Sequence, residues 1–268
     1  MKLRIFIVLL IISALGFWSF RPASDASGFA FSTGEKLVYK IFYNWNFVWL
    51  TAGEVVFEIK DEPDSYHIEV TGKTYASYEW FYKVRDKYHS YIDKTTGLPK
   101  LYIREIHQGN YRHYEKIVFD YPNHKAYSST GRSFNNTKTS EIDLDGNYYD
   151  MISSMYYLRN IDLKSFQNNK STAFKIILDN TKYELNLKYQ KEDPGFKVKE
   201  SGTYKTIHAI GDVISGNVFD EGVQMNFWVA NDSNKLPVLM ESPLVVGSVK
   251  GILASYENLK YPFSAKLK

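Results

Sequence analysis

Six histidines are the side chains of this sequence best suited to bind a metal: His67, His89, His107, His113, His124 and His208. None of them shows the paired spacing of a helix-borne zinc site or a His-x-His strand pair. His107 and His113 lie on either side of Gly109-Asn110, so a hairpin there could bring their rings close. The spacing otherwise favours histidines that form hydrogen bonds at the rim of a sheet. The sequence therefore predicts no metal and no other cofactor.

Catalytic nucleophiles and acid pairs are equally sparse. The motif Gly-x-Ser-x-Gly is absent, and Ser153-Ser154 has no neighbouring base in the sequence. The chain has no cysteine, which excludes thiol catalysis and cysteine-bound metal. Glu54 and Glu58 share a strand face, but it is the wet one, and a retaining glycosidase needs two carboxyls about 5 Å apart in a cleft. These observations lean away from an enzyme, with a carboxylate-pair hydrolase of envelope polysaccharide as the alternative.

Aromatic residues are concentrated in two segments, 45–49 and 75–82, that the strand pattern places in connections. Such rings either fold back as a hydrophobic lid on the sheet or form a binding surface, because Tyr and Trp suit both sugar faces and acyl chains. The predicted aromatic wall of a pocket consists of Trp45, Trp49, Tyr78, Trp80 and Tyr82. Arg85 and Arg159 are the predicted anion contacts, because a guanidinium can fork onto a carboxylate or phosphate.

Strand patterns must position these residues. In the segment 53–60, Val55, Phe57 and Ile59 alternate with charged residues, which indicates one buried and one wet face. Similar runs recur at roughly ten-residue spacing, which is typical of antiparallel sheets. The sequence predicts an all-β protein with minor α content: a twisted antiparallel sheet closed into a barrel-like or two-sheet architecture. Residues 25–268 are expected to form a single domain.

One amphipathic helix is predicted to pack on this sheet. Apolar residues recur at three- and four-residue spacing from Met151 to Leu158. Asp145 or Asn147 is expected to cap its start, because a short side-chain oxygen can accept a bond from a free amide of the first turn. The helix is expected to end near Arg159-Asn160.

The first residues indicate export. A basic start at Met1 to Arg4 is followed by the apolar run 5–12 and by small residues, the order found in a secretory signal peptide. Residues 1–24 are therefore predicted to be a signal peptide, with a retained N-terminal anchor as the alternative and the only expected membrane contact. The lack of cysteine excludes a lipoprotein anchor. The expected location is the periplasm or cell envelope.

Charge and composition limit the classes of molecule that the chain is predicted to bind. The sequence has 33 basic and 30 acidic residues, and the two signs are interspersed. A nucleic-acid binder would show a basic stripe, so no nucleic-acid partner is predicted. With 44% hydrophobic and 16% aromatic residues, burial can stabilise the fold without disulfides.

Three short motifs, taken in order, resemble a known family. They are the segment 34–39 followed by Thr51-Ala52-Gly53-Glu54, the helix segment 150–159, and the segment 227–232 followed by Leu236-Pro237-Val238. Together they resemble the bacterial domain of unknown function 3108 family. The resemblance implies an exported envelope protein with a twisted antiparallel β architecture, and it supplies no activity and no catalytic residues.

The expected function follows from these points. The chain is predicted to be an exported, non-catalytic binding or assembly factor for a glycan, a lipid or an envelope protein. A second alternative, besides the hydrolase, is a purely structural protein-interaction domain, which an exposed flat apolar patch without a cavity would favour.

Overall fold

The computed structural model describes residues 28–45, 48–166, 171–214, 222–244 and 247–267. The predicted signal peptide, residues 1–24, lies outside these ranges. The strands are β1 (Lys36–Trp45), β2 (Val48–Asp61), β3 (Ser65–Thr74), β4 (Arg85–Asp93), β5 (Pro99–Gln108), β6 (Tyr111–Asp120), β7 (Lys125–Ser133), β8 (Asn136–Asp143), β9 (Tyr148–Tyr149), β10 (Ser171–Leu178), β11 (Thr181–Val198), β12 (Gly202–Asp212), β13 (Gln224–Ala230), β14 (Pro237–Pro243) and β15 (Ser248–Glu257). A helix, α1 (Met151–Leu158), and a short 3₁₀ helix (Leu163–Phe166) complete the elements. Within the described ranges, no helix has the length and apolar character needed to cross a membrane.

All 15 strands of the described residues belong to one sheet. Strands that follow one another from β1 to β8 pair antiparallel, as do those from β10 to β15, and β1 pairs antiparallel with β15. Only β9 differs, because it runs parallel to β10. The two free edges are therefore β8 and β9, which are consecutive in the chain. The predicted all-β class, with a barrel-like antiparallel sheet and one helix, is confirmed, and the sheet remains open between these two edges.

Side chains bridge part of this open side. The turn between β10 and β11 reaches β6 and β7: the Asp179 amide donates to Glu115 Oε1 at 2.6 Å, and Asn180 Nδ2 donates to Thr130 Oγ1 at 2.8 Å. Asp179 and Asn180 both have left-handed backbone angles, with φ of 51° and 61°, which Asp and Asn tolerate better than other non-glycine residues. The tight turn therefore fits into the sheet curve without a glycine.

The helix α1 lies on the buried face of the sheet, against β4, β9 and β10. Its N-cap is Asp150, whose Oδ1 accepts from the amides of Ile152 at 2.8 Å and Ser153 at 2.9 Å. The other oxygen, Oδ2, accepts from Ser90 Oγ in β4 at 2.8 Å. The predicted caps, Asp145 and Asn147, are wrong, since the helix begins one residue after Asp150. The cap thus also ties the helix to the sheet.

Candidate functional site

A cavity of about 500 Å³ lies between α1 and the first four strands. Its wall includes Val55 and Phe57 of β2, Val70 of β3, and Met151 and Met155 of α1. This volume falls within the range of small-molecule pockets, about 300–1,000 Å³. The two methionines add flexible, polarizable side chains, which adapt to irregular apolar surfaces.

The cavity exists because small residues occupy strand positions that face inward. In β3, Val70, Gly72 and Thr74 share one face, and a Cβ atom placed on Gly72 would meet only Asp86 Cβ at 3.8 Å and Val55 Cγ2 at 3.9 Å. Those are ordinary van der Waals distances, so no backbone contact requires a glycine there. The missing side chain at Gly72 therefore leaves room that a larger residue would fill.

Two polar side chains that line the cavity, Asp86 and Thr74, are already bonded to the protein. Asp86 accepts from the His107 amide at 2.9 Å and from Gln108 Nε2 at 2.6 Å. Thr74 Oγ1 accepts from the Val84 amide at 3.0 Å. Burial raises the pKa of the Asp86 carboxyl, although these hydrogen bonds favour its ionised form.

Glu54, the second carboxylate of the lining, is bonded at the cavity edge. It accepts from Lys73 Nζ at 2.9 Å and from Tyr75 Oη at 3.2 Å. The hydrogen bond from Lys73 lowers the pKa of Glu54, so this carboxyl is ionised at neutral pH. Glu54 and Asp86 thus differ in environment, and each already has protein donors.

The aromatic segment 75–82 forms the mouth of the cavity. Its backbone makes tight turns, in which the Tyr78 amide donates to Tyr75 O at 2.8 Å and the Phe81 amide to Tyr78 O at 2.9 Å. The Tyr75 amide fixes the segment to β2 by donating to Ala52 O at 3.0 Å. Tyr78, Phe81 and Tyr82 line the cavity, and Tyr82 is 43% exposed. The cavity therefore reaches the surface beside these rings.

The predicted aromatic wall is only partly assembled at this mouth. Tyr78 and Tyr82 line the cavity, whereas Trp80 is 83% exposed and borders a smaller hollow next to Leu50. Trp45 ends β1 and Trp49 lies near the start of β2, where Trp45 pairs with Val48. The side chains of Trp45 and Trp49 lie outside the described part of the structure, so their place in the wall stays a prediction.

The two predicted anion contacts both have protein partners. Arg85 forms an ion pair with Glu79 and donates to Val84 O at 2.6 Å, so it lies at the mouth with its charge compensated. Arg159 is buried and forms a two-pronged ion pair with Glu35, at 2.5 and 2.8 Å. It also donates to Asn234 O at 3.0 Å. The structure thus corrects the role of Arg159, which joins three chain segments in the core instead of facing the cavity.

Sequence reasoning missed several residues of the lining. Gly72 continues the inward face that begins at Tyr66, Ile68 and Val70. A glycine at an inward-facing strand position indicates room for a cavity at the sheet face, because it has no side chain to fill the interior. Met151 and Met155 are four residues apart on α1, which places them on one helix face, but that spacing alone does not separate a cavity wall from a packed core.

Two side-chain clusters outside the cavity combine residue types that bind metals: His67–Glu69–His89 and His113–Glu115–Asp179. The hairpin between His107 and His113 does not bring these two rings together. Its register pairs His107 with Arg112 and Ile106 with His113, so the two histidines project from opposite faces of the sheet. His113 instead lies 2.9 Å from Asp179 Oδ1.

Comparisons with known proteins give a family and a fold. The family model described as protein of unknown function (DUF3108) matches residues 38–254, which confirms the resemblance in the sequence. The comparison with curated proteins finds no match. The structure is similar to the crystal structure of a β-barrel-like protein of domain of unknown function DUF1849 from Brucella abortus, with a TM-score of 0.57 and 12% identity over 85% of this chain and 99% of that chain. At this identity the likeness shows a shared fold alone. The chain belongs to the DUF3108 family of proteins of unknown function.

Proposed function

We propose that this protein is an exported, non-catalytic binding protein of the cell envelope, and that its cavity holds the acyl chain of a lipid. One observation carries the proposal: a surface-connected cavity of about 500 Å³ whose deep wall is formed by apolar side chains of β2, β3 and α1. Each methylene transferred from water into such an environment contributes about 0.8 kcal/mol.

A lipid fits this cavity better than a glycan does. A sugar needs hydrogen-bond partners for its hydroxyls, since burying an unbonded polar group is costly. The polar side chains Thr74, Asp86 and Glu54 already bond to protein atoms, so they offer few free positions to a sugar. An acyl chain makes no such demand, and its polar head would remain at the mouth beside Tyr78 and Tyr82.

The same bonding supports binding without catalysis. A carboxylate pair that hydrolyses a glycosidic bond needs one free acid and one free base or nucleophile at the scissile bond. Asp86 is held by the His107 amide and Gln108, and Glu54 by Lys73 and Tyr75. These bonds suit structural carboxylates at the edge of a pocket.

Export and envelope location rest on the sequence of residues 1–24, with its basic start, apolar run and small residues. An acyl-binding cavity has an evident use there, because lipids that move between membranes must be shielded from water. Mass analysis of the N-terminus of the native protein tests this part: a chain that still begins at Met1 contradicts cleavage.

The cavity is tested with a fluorescent fatty acid and two leucine variants. Gly72→Leu places four carbon atoms in the cavity, which displaces about four methylenes of ligand and weakens binding about a hundredfold. Gly195→Leu is the matched control, because a side chain at this exposed position of β11 meets nothing within 4 Å. Melting curves of both variants establish that the fold persists.

Saturable binding that Gly72→Leu weakens and Gly195→Leu preserves supports the proposal. Equal affinity of the two folded variants for the fatty acid contradicts it. Wild-type protein that does not bind the fatty acid but binds soluble envelope oligosaccharides also contradicts it. Lipid recovered from the native protein by organic extraction, and identified by mass spectrometry, would name the head group.

A further inference from the structure

Two histidines and a glutamate meet on the outer face of β3 and β4, opposite the face that carries Tyr66 and Ile68. The register pairs Glu69 with His89 and places His67 one step along, across from Tyr91. His67 Nε2 lies 2.9 Å from His89 Nδ1, and His89 Nδ1 lies 3.8 Å from Glu69 Oε2. The three side chains each present one ligand-type atom, all within 4.8 Å of one another.

These distances suit a tetrahedral metal ion. A metal that binds N and O ligands at about 2.0–2.1 Å keeps neighbouring ligands about 3.3–3.4 Å apart. The observed 2.9 and 3.8 Å lie on either side of that value, and the third pair of atoms, from His67 and Glu69, lies within 4.8 Å. Side-chain rotations that move these atoms by up to about 1.5 Å complete the geometry. We propose that His67, His89 and Glu69 bind a divalent transition metal of the zinc type, which imidazole ligands favour, with a fourth position for water.

The surroundings hold the first histidine in place. The His67 ring stacks on Tyr91 with 4.2 Å between ring centres and 6° between planes. Its other nitrogen, Nδ1, lies 3.8 Å from Glu62 Oε1. A carboxylate hydrogen-bonded to the outer nitrogen of a ligating histidine orients the ring and raises its basicity, but at 3.8 Å Glu62 contributes its charge and not a hydrogen bond.

Lys60 is the group that opposes the metal. Its Nζ lies 2.9 Å from Glu69 Oε2, so it occupies one oxygen of the carboxylate ligand. This is the same oxygen that lies 3.8 Å from His89 Nδ1, so Glu69 must either share Oε2 between Lys60 and the ion or turn Oε1 toward the ion. The positive charge of Lys60 nevertheless repels the ion, which makes this lysine a useful probe of the site.

The second cluster, His113–Glu115–Asp179, is not proposed as a metal site. There Arg104 lies 3.0 Å from His113 Nε2 and 3.2 Å from Glu115 Oε2, and it also bonds Asp179. A guanidinium cannot be deprotonated in proteins, so this cation already occupies the space among the three ligand-type atoms. His113 therefore serves as an internal control for the first cluster.

The experiment titrates the untagged full chain with Zn²⁺ by calorimetry and records the absorption spectrum with Co²⁺, whose visible bands report tetrahedral coordination. We expect one equivalent of Zn²⁺ to bind with a dissociation constant below about 100 μM. His67→Gln and His89→Gln should each weaken binding at least about tenfold. His113→Gln and His107→Gln, which remove imidazoles elsewhere, should leave it unchanged.

Wild-type binding weaker than about 100 μM overturns the proposal, and so does binding that persists in folded His67→Gln or is lost in His113→Gln. If a variant of His67 or His89 fails to fold, Lys60→Gln decides. Removal of this charge at about 5 Å from a divalent ion should tighten binding about fifteenfold. Unchanged or weaker binding in Lys60→Gln then counts against the site.

Discussion

The buried ion pair between Glu35 and Arg159 gives the sharpest stability prediction. Glu35 is 1% exposed and Arg159 is 5% exposed, and two hydrogen bonds of 2.5 and 2.8 Å join them. Glu35→Gln keeps the shape of the side chain but leaves the guanidinium buried without a counter-charge. Loss of one partner of such a pair costs about 3–5 kcal/mol. In a domain of this size each kcal/mol shifts Tm by about 2–4 °C, so Tm should fall by about 6–20 °C.

A double variant separates the charge from the packing. Glu35→Met with Arg159→Met removes both charges and retains apolar bulk against Phe31 and Tyr156, the rings that face the guanidinium. Pairs replaced in this way are often as stable as the original. Arg159 also donates to Asn234 O, so that carbonyl loses its donor and recovery should be large but incomplete.

Thermal melts at neutral pH, followed by circular dichroism, measure both variants. Glu58→Gln is the matched control, since Glu58 pairs with Lys36 at 3.0 Å with both side chains largely in water; exposed pairs contribute little. A Tm for Glu35→Gln within the scatter of the wild type would refute the reasoning. A double variant less stable than Glu35→Gln would show that packing and the Asn234 bond, rather than charge compensation, hold this site.

Two further predictions concern a surface carboxylate and a glycine. The hydrogen bond from Tyr148, followed by the one from Lys175, lowers the pKa of Asp145 to about 2. The contribution of the Asp145 carboxylate to stability is therefore complete above pH 3.8 and is lost as the pH falls toward about 2. The difference in urea midpoint between wild type and Asp145→Asn should close over that interval, and a constant difference contradicts the assignment. Gly53→Ala should lower the free energy of unfolding, measured in urea, by about 1–3 kcal/mol, because the new Cβ would lie 2.1 Å from Lys73 O. An equal loss of stability in Gly72→Ala would contradict this steric cause.

The strands and the helix body were accessible from the sequence because their patterns are local. The alternation of Val55, Phe57 and Ile59 predicts which face of β2 is buried, and Phe57 and Ile59 are indeed buried. The helix cap was not accessible in the same way. Asp145, Asn147 and Asp150 are all chemically suitable caps within six positions. Asp150 is selected by its reciprocal bonds with Ser153 together with the contact to Ser90, 60 residues earlier.

The candidate site shows the same contrast between features that local sequence patterns predict and features that depend on contacts between distant residues. The cluster of rings between residues 75 and 82 is local, and it includes Tyr78 and Tyr82, which line the cavity; their contact with a ligand stays a prediction. The sequence predicts Arg159 as a ligand contact because its protein partner, Glu35, is 124 residues away and cannot be recognised from the local pattern. Likewise His67 and His89 are 22 residues apart, so no spacing motif reveals them, and only the register of β3 with β4 brings them together.

The proposed binding of an acyl chain accounts for a cavity that the sequence could readily have filled. Because the cavity of about 500 Å³ reaches the surface beside Tyr82, it does not carry the penalty of a closed, dry void, but its apolar wall is left without protein contacts. The sequence has an inexpensive remedy, because a side chain at Gly72 would meet only ordinary contacts at 3.8 and 3.9 Å. Instead the chain keeps Gly72 and lines the mouth with exposed Phe81 and Tyr82. Under the proposed function, an acyl chain would cover the apolar wall that Gly72 leaves open.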